Sequence, residues 1–272
     1  MRILVLLLLL FSHSGWAFEE IIVTPLQPQG WAEANVRDDA ITVLDPAQPL
    51  FGDGSLLFAT DTQTPGQDKA DFQLTWQQSL MMIDFPDRTL GNLDALNYAW
   101  FKDSSSTTSA HLIPVVRVRF YDDAGTPGDL ADDTTGVLVW EAIYNGINNP
   151  AEDTWQLSDI IDGNFWAFVN ASPNGTGTIN NYNSTLNDWI TGSPQGGIND
   201  PSIQLDADTF IIGVNMGVGS GWGNSFIGYV DALRVGFGTD DILYNFEACS
   251  FAEENSDPDL IFNDGFDQCL KQ

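Results

Sequence analysis

A chain of 272 residues with 38 acidic side chains against 9 basic ones carries a net charge near −29. That field repels nucleic acid and anionic membrane surfaces, whose binding needs clustered Lys and Arg, so both partner classes are set aside. With 43% apolar residues, nine tryptophans and seventeen phenylalanines, the chain can bury a real core and does not have the composition of a disordered polymer.

Met1-Arg2 supplies a positive start, and Ile3 to Phe11 is an unbroken apolar run. Ser12 to Ala17 is more polar, with small residues at the −3 and −1 positions of a cut after Ala17. This is the three-part layout of a secretory signal peptide. The apolar run is shorter than the roughly 20 residues of a membrane span, and no later stretch is long enough for a transmembrane helix. The expected address is therefore secreted, cell-surface or periplasmic. Cleavage leaves 255 residues with 8 basic side chains. They are read as one β domain over residues 18–247 and an acidic tail over 248–272.

Short alternating runs between turn-rich loops predict strands. The first clear pair is Gly54–Thr60 and Ala70–Trp76, separated by turn residues. Ser79–Phe85 follows, then Ala95–Phe101, where Leu96, Tyr98 and Trp100 share a face. Leu112–Tyr121 is the most regular run: Val116, Val118 and Phe120 point one way, and Arg117, Arg119 and Tyr121 the other. A period of two with charge on one side predicts a half-exposed antiparallel strand. An Asp/Gly/Pro loop then leads to Gly136–Tyr144, with Phe165–Asn170 beyond it. Asn174–Ser193 reads as irregular, with one helical turn at Leu186–Ile190. Thr209–Val218, Ser225–Phe237 and Asp241–Glu247 complete the pattern, the last two joined by a turn at Gly236–Asp240. Ten to twelve strands with little helix fit an all-β antiparallel sandwich of jelly-roll type.

Cys249 and Cys269 are the two cysteines. An even count in an exported chain predicts one disulfide. Closing a loop of about 20 residues would stabilise the tail by roughly 3 kcal/mol.

His111 is the one histidine beyond residue 17, and no Gly-x-Ser-x-Gly elbow is present, so a Ser-His-Asp hydrolase has no support. His111 reads as a loop or surface residue. Zinc, which needs several His or Cys ligands, is excluded on the same count. The glycines at 217, 219, 221 and 223 around Trp222 follow a strand and read as a turn rather than a phosphate cradle. Glu141 and Glu247 both fall in predicted strands beside aromatics, and a glycosidase needs such a carboxylate pair about 5–9 Å apart. Trp76, Trp100 and Trp140 are expected in the core, whereas Trp155, Trp166, Trp189 and Trp222 lie in or beside loops. These four are candidates for an exposed sugar-stacking platform, and each alone also fits loop anchoring by a buried indole. Asp231 lies among apolar neighbours, with Tyr229, Leu233 and Val235 predicted on its face. A buried carboxylate needs a partner: Arg234, a backbone donor or a calcium ion.

GYVDALRVGF (228–237) followed by ILYNFE (242–247) resembles the end of carbohydrate-binding jelly-roll modules of concanavalin A-like or galactose-binding-like type. FGDGSLLF (51–58) is similar to their Gly-rich lead into an early strand. In such families the matching Asp is a structural calcium ligand, which the resemblance implies for Asp231. NYAWFKDSSS (97–106), GVLVWEAIYNG (136–146) and DTWQLSDI (153–160) resemble exported bacterial domains of unassigned function. DLIFNDGFDQC (259–269) resembles an ending common on exported Gram-negative proteins. The expectation is a secreted, non-catalytic, calcium-stabilised β-sandwich that binds an extracellular polysaccharide or matrix component. The alternatives are a structural or adhesive surface protein without a small ligand, and a glycan hydrolase or lyase using Glu141 and Glu247. Oligomeric state is left open.

Overall fold

The computed structural model describes residues 18–61, 67–76, 84–192, 194, 203 and 205–248. The signal-peptide segment, the cysteines Cys249 and Cys269 with the tail, and residues 79–83 of the expected strand 79–85 lie outside the described residues.

The described residues form fourteen strands. They are β1 (Glu19–Val23), β2 (Trp31–Arg37), β3 (Ile41–Asp45), β4 (Ser55–Thr60), β5 (Lys69–Thr75), β6 (Leu93–Lys102) and β7 (Val115–Asp122), then β8 (Thr134–Trp140), β9 (Gln156–Asp159), β10 (Phe165–Ala171), β11 (Gly177–Ile179), β12 (Phe210–Gly219), β13 (Phe226–Phe237) and β14 (Asp240–Phe246). One 3-10 turn (Ala142–Asn145) and one short helix, α1 (Leu186–Ile190), complete the set. The helix begins where Thr185 and Asp188 form a reciprocal capping box, which satisfies two otherwise orphaned amides.

The strands make two sheets packed face to face. The first runs β1-β14-β13-β4-β3, with β6 on the other edge of β13 and β9 outside β6. The second runs β11-β10-β8-β7-β12-β5-β2. Pairing is antiparallel throughout the named strands except β1 with β14, which is parallel. The even-numbered face of β7 behaves as its alternation predicts: Val116, Val118 and Phe120 are fully buried. Each such side chain contributes about 1.5–3 kcal/mol by leaving water. The sheets are tied by aromatic contacts across the core. Trp31 of β2 meets Phe246 of β14 at 5.2 Å, and Tyr98 of β6 meets Trp140 of β8 at 5.9 Å, both edge to face.

Three expectations change. Three strands over residues 19–45, together with β9 and β11, raise the count beyond ten to twelve. The run predicted from Leu112 enters the sheet only at Val115, after Pro114, which has no amide to give the ladder. Gly217 and Gly219 belong to β12 rather than to a turn.

The face assignment along β13 is also revised. Phe226 and Val230 are buried in the core, yet so are Leu233, Val235 and Phe237, of the opposite parity. The pairing with β6 shifts between Asp231 and Arg234, and Ala232 adopts φ +51°. This extra residue is a β-bulge, and it swaps which side chains face the core. It sits where β13 changes neighbour, from β4 over Phe226–Val230 to β14 over Leu233–Phe237.

Candidate functional site

The outward face of the second sheet is built from the odd-numbered residues of β7 and their partners. The register sets side chains in rows across the strands. One row runs Trp166, Val139, Arg117, Asn215, Gln73. The next runs Phe168, Val137, Arg119, Gly213, Thr75. On the other side, Val115, Gly217 and Asp71 stand in line, with Glu141 just past the end of β8.

Glu141 was expected within a strand. Instead β8 stops at Trp140, and Glu141 caps the 3-10 turn that follows. The stop is a local polar clamp. The Asn145 side-chain amide donates to the carbonyls of Glu141 (2.9 Å) and Asn164 (3.1 Å), and the Asn164 amide donates to the Tyr144 carbonyl at 3.0 Å. Gly146, at φ +79°, then takes the left-handed conformation that ends the turn. The clamp places Tyr144 beside Glu141.

Here a cavity of about 180 Å³ opens, lined among others by His111, Val115, Glu141, Tyr144 and Trp222. That is many times the space one water needs, so the cavity admits a group of several heavy atoms. The Trp166 indole N–H donates to the Glu141 carboxylate at 3.2 Å. Burial pushes the Glu141 carboxyl above its usual range, while the Trp166 bond and the nearby Arg117 and His111 hold it back. Tyr144 stacks on Tyr182 with ring centroids 4.0 Å apart, and Trp166 meets Tyr182 edge-on at 6.4 Å. Burial, then the Tyr182 neighbour, pushes the Tyr144 hydroxyl up to about 12, so it stays a hydrogen-bond donor at neutral pH. His111 reaches the cavity because Lys102, fully buried, donates to the carbonyls of Ser109 and Ala110 at 3.2 and 2.9 Å and pins the approach to it.

The four candidate tryptophans are not one platform. Trp166 and Trp222 border this site. Trp155 packs on Phe101 of the first sheet at 5.8 Å. Trp189 is 1% exposed and donates to the Phe165 carbonyl at 3.0 Å, so it is a core anchor and not an exposed surface. The pair Glu141 and Glu247 is not brought together either. Glu247 follows β14 in the first sheet and accepts the Asp53 amide at 2.5 Å, holding the β3–β4 loop. Gly52, at φ +54°, lies under that carboxylate, where a Cβ would come within 1.8 Å of a Glu247 oxygen.

Asp231 takes the backbone-donor solution. Its carboxylate, fully buried, accepts the amides of Ala232 (2.7 Å), Phe246 (3.0 Å) and Phe51 (3.2 Å). Arg234 pairs with Asp241 instead, at 2.5 Å. Among the described residues no group of three or more His, Cys, Asp or Glu is arranged to hold a metal ion. No described helix is long and apolar enough to cross a membrane.

Sequence reasoning set His111 aside as a loop or surface residue and did not single out Tyr144 or Tyr182. The one readable signal was Arg117 and Arg119 on a shared face, two of only eight cations beyond residue 17.

No protein-family model matches the chain, and no curated protein matches it by sequence. Among solved structures it is similar to a carbohydrate-binding module of the β-sandwich superfamily described for promiscuous specificity, at 10% identity and TM-score 0.34, over 76% of this chain and 56% of that one. It is also similar to the CBM22-1–GH10 modules of a Clostridium thermocellum endo-1,4-β-D-xylanase complexed with xylohexaose, at 9% identity and TM-score 0.31, over 76% of this chain and 26% of that one. A Shewanella oneidensis protein of unknown function matches at 10% identity and TM-score 0.19, over 77% of this chain and 87% of that one. The chain thus spans about half of the first of these and a quarter of the second.

Proposed function

We propose that this chain is an exported, non-catalytic glycan-binding sandwich, and that the sugar enters the cavity between Glu141, Tyr144, His111 and Trp222. The observation that carries the reading is the Glu141 carboxylate held by the Trp166 indole at 3.2 Å on the rim of that cavity. A pyranose offers apolar C–H faces and a ring of hydroxyls. A site for it therefore combines aromatic walls with a few fixed acceptors and donors. Glu141 supplies acceptors, and Tyr144 and His111 supply polar contacts, in a pocket walled by Trp222 and flanked by Trp166 and the Tyr144–Tyr182 stack. Among the described residues Glu141 is the one carboxylate on the lining, which supports binding over the two-carboxylate hydrolysis considered from the sequence. The export part of the proposal rests on residues 1–17 and the acidic balance.

Titration of the full chain against a polysaccharide panel tests the reading. Saturable binding to at least one polymer is expected, weakened tenfold or more by Glu141→Gln and by Trp166→Ala at unchanged thermal midpoint. Binding that survives both substitutions would place the ligand elsewhere, and no binding across the panel would sink the proposal.

A further inference from the structure

Eight cations remain beyond residue 17 against 38 carboxylates, and four of the eight gather on one face. Lys69 on β5, Arg37 on β2, and Arg117 and Arg119 on β7 all belong to the outward side of the second sheet. Asp71 stands among them, and Glu141 lies near Arg117. Asp71 accepts Lys69 Nζ at 2.7 Å and Arg117 at 3.0 Å, and its other oxygen takes the Asn35 amide at 2.8 Å. Arg117 also reaches the neutral Asn215 carbonyl at 2.6 Å. Arg119 rests on a neutral group, the Thr75 hydroxyl at 2.7 Å, and no described carboxylate pairs with it.

These cations sit in costly surroundings. The Lys69 and Arg117 side chains are each 17% exposed. Burial, then Arg117, brings the Lys69 ammonium down to about 8 in spite of Asp71, and Arg37 adds to the repulsion. Burial also lowers Arg119. Desolvated like charges stay together at a cost that an anion would relieve. Glycine lets these side chains lie flat on the sheet: at Gly217 a Cβ would lie 2.2 Å from Asp71 Oδ1 and 2.9 Å from Arg117, and at Gly213 one would lie 2.2 Å from the Leu74 carbonyl and 3.3 Å from Arg119. The Arg117 row is next to the row that ends at Glu141, so the face continues the cavity. From β10 to β2 it crosses five inter-strand steps of ~4.8 Å, or about 24 Å, long enough for several sugar residues.

We infer that the glycan bound here is anionic, a polysaccharide bearing carboxylate or sulfate groups, with those groups seated on Arg119, Arg117 and Lys69 while hydroxyls meet Glu141. This rests on the glycan reading above and adds the substrate class. The chain as a whole repels polyanions, so affinity for one must come from a local cationic site.

The test is titration calorimetry of the full chain with polygalacturonate, alginate and a sulfated galactan, each beside its carboxyl-reduced or desulfated form. The expected result is binding to at least one polyanion and at least tenfold weaker binding to its neutralised counterpart. The two acidic chemistries are separated by which polymer binds. Arg119→Gln should weaken that binding tenfold or more and Arg119→Lys less, both at a thermal midpoint no lower than the parent's, while Trp155→Ala on the first sheet leaves it unaltered. Equal binding to the charged and neutralised polymers would overturn the anionic assignment and leave the glycan reading standing. Loss of all binding across both sets would overturn both.

Discussion

Asp231→Asn removes one ionisable group from the junction of β4, β13 and β14 and keeps nearly all of its shape. Burial, with the Glu247 charge adding to it, raises the Asp231 carboxyl from 3.8 to about 7, against three peptide amides that pull it down. A carboxyl whose folded-state value lies above its unfolded value binds its proton more tightly when folded. Its contribution to stability is complete below the unfolded value, near pH 4, and is lost as pH rises through about 7. Integrated between pH 5 and pH 8, the loss is about 2–3 kcal/mol. Asparagine does not titrate, so its cost relative to Asp231 should shrink by about that amount over the same interval. Glu247 is raised in the same direction by its own burial, and comparing the two proteins at each pH cancels most of its effect. Urea denaturation of both proteins at pH 5, 6, 7 and 8 measures the difference. A cost that stays constant, or that grows with pH, would refute the reasoning and show that the three amides match or outweigh the effect of burial on the ionised form.

Three further outcomes are expected. Gly217→Ala should cost about 1–3 kcal/mol in a urea melt, since its Cβ would meet Asp71 Oδ1 at 2.2 Å and the Ala70 carbonyl at 2.7 Å; stability equal to the parent would mean that the Asp71 pair is looser than drawn. Trp189→Ala should cost about 3–5 kcal/mol by emptying a core position, whereas a sugar platform at Trp189 would show as lost binding at unchanged stability. Because peptide amides occupy the Asp231 carboxylate, the thermal midpoint should be the same in EDTA and in millimolar calcium; a rise in calcium would restore the ion to this carboxylate, since a ligand that binds only the folded state must stabilise it.

Local chemistry was legible in the chain. The alternation at Val116, Val118 and Phe120 reports one strand's own inward face, and that needs no partner to read. The helical turn at Leu186–Ile190 is likewise local, started by Thr185 and Asp188 three residues apart. Strands β2 and β3 lack that signal. β2 buries Trp31 alone at its start, so its alternation is faint and its place comes from pairing with β5.

What the tertiary structure decided is where neighbours change. At Asp231 no sequence pattern announces that β13 passes from β4 to β14, and the bulge at that passage swaps the faces of every residue after it. Glu141 leaves its strand because Asn145 and Asn164, nineteen positions apart, clamp the turn beyond it. The four cations come from strands separated by up to 82 positions in sequence, Arg37 to Arg119, and share a face only through the β2-β5-β12-β7 order of the second sheet. Periodicity belongs to one strand and can be read from it, whereas a site is a property of strand order, which depends on contacts between residues far apart in the chain.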